Sequence, residues 1–128
     1  MKAIKFPSKT DNDPFFKEII EEGYYIFSIE NAKNPNYYPN DFPVYPGVNL
    51  PDLKIGDMVT VRAFFKVGSG KNVRADGGYL DLEIEYIEDD SVFGVIMTEL
   101  PKGFALQKGT SLELFKDEIL YKAEMTER

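Results

Sequence analysis

The sequence predicts an α+β domain: either a strongly bent antiparallel sheet of about five strands or a partly open small β-barrel, with one N-terminal helix packed on it. Three observations carry this. Between Asp57 and Met97 apolar and polar residues alternate in three successive runs separated by turns, and one short helical stripe precedes them. The 128 residues, 43% of them hydrophobic, suffice for one core and are too few for two ordinary domains, so residues 1–128 are expected to form a single domain.

Asp13 followed by Pro14 is a cap and first-turn pair, which sets a helix over residues 13–22. Phe15, Phe16, Ile19 and Ile20 form a broad apolar stripe expected to lie against the sheet, and Gly23 is placed to end the helix in a left-handed conformation. So short a helix does not persist alone in water and must be held by burial. Tyr24 to Ile29 is dense in β-formers and predicts a strand at the sheet edge.

From Asn34 to Asp52 the prolines 35, 39, 43, 46 and 51 forbid a long helix or a central strand. Tyr37, Tyr38, Phe42, Tyr45 and Val48 make the stretch too aromatic for a free linker, so it is expected to wrap over the domain.

Residues 57–97 form the central three-stranded meander. Val59, Val61, Ala63, Phe65 and Val67 share one face of the first strand; Leu80, Leu82, Ile84 and Tyr86 share one face of the second; Phe93, Val95 and Met97 continue it in the third. A register that satisfies both faces sets Phe65 opposite Leu82 and Ala63 opposite Ile84 inside, with Lys66 opposite Asp81 and Arg62 opposite Glu85 outside. In the second hairpin it sets Tyr86 against Phe93, Ile84 against Val95 and Leu82 against Met97.

Leu53-Lys54-Ile55-Gly56-Asp57 opens the first of these strands, and a matching phrase, Leu106-Gln107-Lys108-Gly109-Thr110, opens another at Ser111–Phe115. Each Gly is expected to supply a positive φ that re-aims the chain into its strand. Lys116 to Tyr121 is then a short helical turn or a final strand, and residues 122–128 form a frayed tail.

A net charge of −7 disfavours a protein that tracks nucleic-acid phosphates, which requires clustered Lys and Arg. Met1–Pro7 lacks the apolar run of a signal peptide, and no run of about 18 apolar residues exists, so a soluble chain with no membrane partner is expected. The absence of Cys suits a reducing cytoplasm, the expected location, and removes disulfides and thiolate metal sites. The absence of His removes the usual general base at neutral pH and the commonest metal ligand, so no metal or other cofactor is expected.

Val67-Gly68-Ser69-Gly70-Lys71 has part of a phosphate-loop composition, but the glycines are too close, Asn72 follows the Lys, and no helix comes after it; a hairpin connection is the expected role. Asp81, Glu83 and Glu85 stand about 6.6 to 6.8 Å apart along one strand face. That spacing suits two acids of a hydrolase, yet cross-strand pairing with Lys66 and Arg62 accounts for them as surface ion pairs. Glu88-Asp89-Asp90 offers too few oxygens for a Ca²⁺ loop.

The remaining candidate surface is irregular. Tyr combines a large rigid ring with a polar tip, Pro limits the entropy lost on ordering, and Lys71-Asn72-Val73-Arg74 is the main basic cluster of an acidic chain. Tyr37, Tyr38 and Tyr45, rimmed by Lys71 and Arg74, are therefore the expected partner-binding residues, with a plug over the sheet as the competing role for the aromatics.

The ordered phrases Asn31-Ala32-Lys33-Asn34-Pro35, Leu53-Lys54-Ile55-Gly56-Asp57, Phe64-Phe65-Lys66-Val67, Phe93-Gly94-Val95-Ile96 and Leu106-Gln107-Lys108-Gly109 resemble the YegJ-like family of uncharacterised small bacterial domains over residues 30–120 or so. The resemblance implies a small β-rich domain and a bacterial source, and brings no activity or catalytic residues with it. By elimination, the expected function is that of a small acidic non-enzymatic binding module, an inhibitor or immunity-type protein acting on another protein. A carboxylate-dependent hydrolase is the alternative.

Overall fold

In a computed structural model describing residues 2–3, 14–29, 45–68 and 74–123, helix α1 covers Pro14–Glu22. Gly23 ends it with φ of 88°, its amide donating to the Ile19 carbonyl at 2.8 Å. A Cβ at Gly23 would stand 2.8 Å from that of Ala105, so the helix stop also needs the missing side chain. Ile19 is wholly buried whereas Ile20 is 39% exposed. Adjacent helical residues point about 100° apart, so Ile20 turns away from the face that Ile19 buries, while the side chains of Phe15 and Phe16 lie outside the described residues.

The described residues form seven strands: β1 (Lys2–Ala3), β2 (Tyr24–Ile26), β3 (Met58–Val67), β4 (Arg74–Ile87), β5 (Ser91–Ile96), β6 (Ser111–Phe115) and β7 (Tyr121–Lys122). The main sheet runs β2-β3-β4-β5-β6, entirely antiparallel, with β1 added on β4 and β7 on β3. It curls into a half-barrel carrying one short N-terminal helix, the α+β class that the alternation predicts. Strand β1, two residues long, is too short to leave a periodic signal in the sequence.

The first hairpin is paired differently from expectation. Phe65 stands opposite Asp76, Ala63 opposite Gly78, Lys66 opposite Ala75 and Arg62 opposite Tyr79, while Val61 meets Leu80 and Val59 meets Leu82. The shift preserves parity, so the inward sets of β3 and β4 survive it. It moves Asp81 and Glu85 away from the expected cations. β4 begins at Arg74 rather than near Tyr79, and the longer ladder outweighs two surface ion pairs worth about 1 kcal/mol or less each.

The second hairpin holds Tyr86 opposite Phe93, as expected, and then slips. A β-bulge between Ile84 and Tyr86 sets Ile84 opposite Gly94 and Leu82 opposite Ile96. The extra residue reverses which face each side belongs to. Val92, Gly94 and Ile96 are buried, Phe93 and Val95 are half-buried, and Tyr86 and Met97 are exposed, which corrects the expected inward set of Tyr86, Phe93, Val95 and Met97.

The inner core gathers Val59, Val61, Ala63 and Phe65 of β3, Leu80, Leu82 and Ile84 of β4, Val92 and Ile96 of β5, and Leu114 of β6. Leu53 joins it, and Val48 and Leu50 pack against it, so the last part of the proline-rich stretch is a plug. A 3₁₀ turn at Leu50–Asp52 then leads into β3. Gly56 and Gly109 both have the expected positive φ, 96° and 94°.

A second, smaller apolar layer lies on the outer side of β3. Phe64 is wholly buried there and stacks on Tyr25 at 6.4 Å, and Phe27 meets Tyr45 edge-on at 5.7 Å. Helix α1 packs over β2 and β3 and adds Ile19. Phe64 thus faces outward yet is as buried as Phe65, because this layer covers it.

After β6 the chain makes a 3₁₀ turn at Lys116–Glu118, buries Ile119 and Leu120 completely, and reaches β3 as β7. Lys116–Tyr121 thus contains both expected alternatives. Strand β3 shares one edge between two neighbours: β2 pairs with Ala63–Phe65, and β7 with Val59 and Thr60.

Candidate functional site

Of the five expected partner-binding residues, Tyr37, Tyr38 and Lys71 lie outside the described residues, as do most of the proline-rich stretch and the centre of the glycine-rich hairpin loop. Arg74 is not in a loop: its backbone opens β4 opposite Val67.

Tyr45 is half-buried and bonded in place. Its hydroxyl lies 2.7 Å from that of Tyr79, and Arg62 Nη1 donates to both oxygens, at 3.2 Å to Tyr45 and 3.1 Å to Tyr79. The guanidinium lies over the Phe64 ring at 5.6 Å and the Tyr79 ring at 5.1 Å. Burial first, and the bond to Tyr79 second, push the Tyr45 hydroxyl up to about 12, against the pull of Arg62. Tyr45 acts as a strut fastening the irregular stretch to β3 and β4. Its sequence neighbours give no signal of this, because Arg62 and Tyr79 come together only in the observed register.

On the outer face of the sheet, the acidic row is held by hydroxyl groups. Thr60 Oγ1 donates to Asp81 Oδ1 at 2.7 Å, the Asp81 amide donates to Thr98 Oγ1 at 2.9 Å, Ser111 donates to Glu85, and Ser91 Oγ donates to Glu113 Oε2 at 2.7 Å. From Gly77 onward, β4, β5 and β6 contain no Lys or Arg. Apolar rings stand among these acids. Tyr86 is 55% exposed, Phe115 47% and Tyr79 46%. The Tyr86 and Phe93 rings meet at 5.9 Å; Phe93 pairs with Glu113, and Phe115 lies one step along the same face, opposite Ser91.

Two clefts formed by described residues lie elsewhere. One of about 580 Å³ is lined by Ile29, Pro46, Gly47, Val48, Asn49, Lys116 and Asp117; one of about 380 Å³ is lined by Gly23, Lys66, Val67, Gly68 and Lys102–Ala105. Neither contains the acidic row. Among the described residues no group of three or more Asp and Glu is placed to hold a metal ion, and no helix is long and apolar enough to cross a membrane. No family model matches the chain, and neither does any curated protein or solved structure. The resemblance to the YegJ-like family therefore remains an expectation.

Proposed function

We propose that this domain is a non-enzymatic binding module that acts on another protein, in the manner of an inhibitor or immunity protein. One observation carries the reading: on the outer side of the curled sheet the Tyr86 and Phe93 rings meet, and Phe115 stands diagonally across from Phe93 on the same face, with Tyr86 and Phe115 about half exposed. Single exposed apolar residues are ordinary, whereas adjoining rings rimmed by polar groups mark interaction surfaces. Aromatic rings anchor interfaces because they bury much area at little entropic cost.

The carboxylates favour the same reading over the hydrolase. Acid–base catalysis works in a concave site that orients a substrate and excludes water. Asp81, Glu83 and Glu85 instead stand exposed on the outside of the half-barrel, and line neither of the two clefts described above. Tyr37, Tyr38, Lys71 and Arg74 are the other candidate contact residues, expected from the sequence. Tyr45, their companion in the sequence reading, is already engaged by Arg62 and Tyr79, which favours the sheet.

The test is affinity capture from native lysate with three baits: the parent chain, Tyr86→Ser with Phe115→Ser, and Tyr37→Ser with Tyr38→Ser. A protein retained by the parent and lost with the first pair supports a binding module using the sheet; loss with the second pair moves the contact to the irregular side. A glycosidase or phosphatase activity abolished by Asp81→Asn or Glu83→Gln would overturn the reading in favour of the hydrolase.

A further inference from the structure

We propose that the outer face of β4, β5 and β6 docks an extended basic segment of its partner, with Arg or Lys side chains alternating with apolar ones. This deepens the binding-module reading and rests on it. The face combines three features. Its rings, Tyr86, Phe93 and Phe115, offer apolar surface and π-faces, which attract cations. Its charges, Glu83, Glu85 and Glu113 with Asp81 beside them, are all negative, and no Lys or Arg is present in these strands beyond Gly77.

The third feature is order. Ser111 holds Glu85 and Ser91 holds Glu113, so two of the carboxylates are already oriented and less side-chain entropy is lost on binding. An ionised carboxylate has about four acceptor positions, and one hydroxyl leaves the others open to a guanidinium or ammonium. Glu113 lies across from Phe93, and Glu85 sits at the bulge beside Tyr86, so acids bracket the ring pair. A cation seated on the rings would meet a carboxylate on either side.

Charge decides between occupants. A second copy of this chain would bring the same carboxylates and a net charge of −7 against this face, so self-association through it is opposed. Nucleic acid is repelled for the same reason. An extended segment, whose side chains alternate between two sides, can set every second residue onto the sheet.

A fluorescein-labelled peptide of alternating Arg and Val, with a Glu–Val counterpart as control, tests this by fluorescence anisotropy and by amide chemical-shift mapping on the full chain. The Arg–Val peptide should bind, shift amides of β4–β6 and weaken as salt rises, while the Glu–Val peptide does not bind. Glu85→Lys with Glu113→Lys should weaken it at least about tenfold, and Tyr86→Ser with Phe115→Ser about tenfold even at high salt. All four substituted residues are exposed, and an unchanged urea midpoint confirms that the variants are folded.

Absence of binding at low salt, shifts confined to other elements, or equal affinity in the aromatic variant would each overturn the inference, the last by reducing it to plain charge attraction. Failure here, with a partner still captured by the parent chain, sinks the docking face and leaves the binding module standing. A carboxylate-dependent hydrolase activity sinks the module itself.

Discussion

Gly94 runs so close to Leu82 that a Cβ added to it would stand 2.9 Å from the Leu82 Cβ. The contact lies within the inner core, just beyond the bulge that turns β5 over, and Leu82 is itself wholly buried. There is no flexible side-chain end to yield. Gly94→Ala should therefore destabilise the domain by about 1 to 3 kcal/mol through overpacking, measured as a lower urea midpoint at unchanged slope. A midpoint equal to the parent's would show that β4 and β5 separate more easily than this contact implies.

Phe64 and Phe65 are consecutive, face opposite sides of β3 and are both wholly buried. Phe65 stacks on Phe104 at 4.7 Å in the inner core; Phe64 stacks on Tyr25 in the outer layer. Each replacement by Ala should cost about 3 to 5 kcal/mol. Chemical denaturation of the two variants should give similar midpoint shifts, and a small shift for Phe64→Ala alone would mean that the layer under α1 contributes little.

The Tyr45 hydroxyl gives stability a signature at high pH. Its value rises from an ordinary 10.0 to about 12 in the folded chain, so the unfolded chain releases this proton first. Its contribution is complete below pH about 10 and is lost as pH rises through about 12. Tyr45→Phe should flatten the fall of the thermal midpoint across that window, and absorbance titration of tyrosinate should lose a step near pH 12.

Glu118 acts at the other end of the scale. Burial, more than any other influence, raises its carboxyl, with Asp117, Glu18 and Glu113 adding to it and the Phe115 amide, which donates to Oε1 at 2.9 Å, opposing it. A raised carboxyl favours the folded state most below its unfolded value near 4.5, and that favour is lost as pH rises through the folded value. Glu118→Gln keeps an acceptor for the amide and removes the charge. It should raise the melting temperature at pH 7 and leave it nearly unchanged at pH 4; a lower midpoint at pH 7 would show that the charge strengthens the cap by more than burial costs.

What could be read in the chain was what depends on neighbours along it. Pro14 opens α1 and Gly23 stops it, alternation marks β3 and β4, and the paired phrases that contain Gly56 and Gly109 open two strands. Pairing across the sheet was less legible. Any shift by an even number of residues keeps Val59, Val61, Ala63 and Phe65 inward, so alternation cannot choose among such registers, and surface charge pairs chose wrongly. The bulge at Glu85 leaves no mark in the alternation either, and it carried Tyr86 and Phe93 from the expected core to the outside. The candidate docking face exists because of that slip, and the Arg62–Tyr45–Tyr79 cluster because of the register.

The shared edge of β3 also sets a timetable for synthesis. The carbonyls of Met58 and Thr60 accept from the amides of Ala123 and Leu120, and Lys122 Nζ reaches Asp57 Oδ2 at 3.2 Å. A ribosome that has made β2 to β5 has supplied most partners of β3, yet half of one edge stays open until residues 120–123 leave the exit tunnel. Until then a nascent chain exposes unpaired strand in the middle of its sheet rather than at a margin, a place where another nascent copy could add itself. Slow passage of residues 97–123 through the ribosome would lengthen that interval, and a chaperone that binds emerging chains would protect this domain most before residues 120–123 emerge.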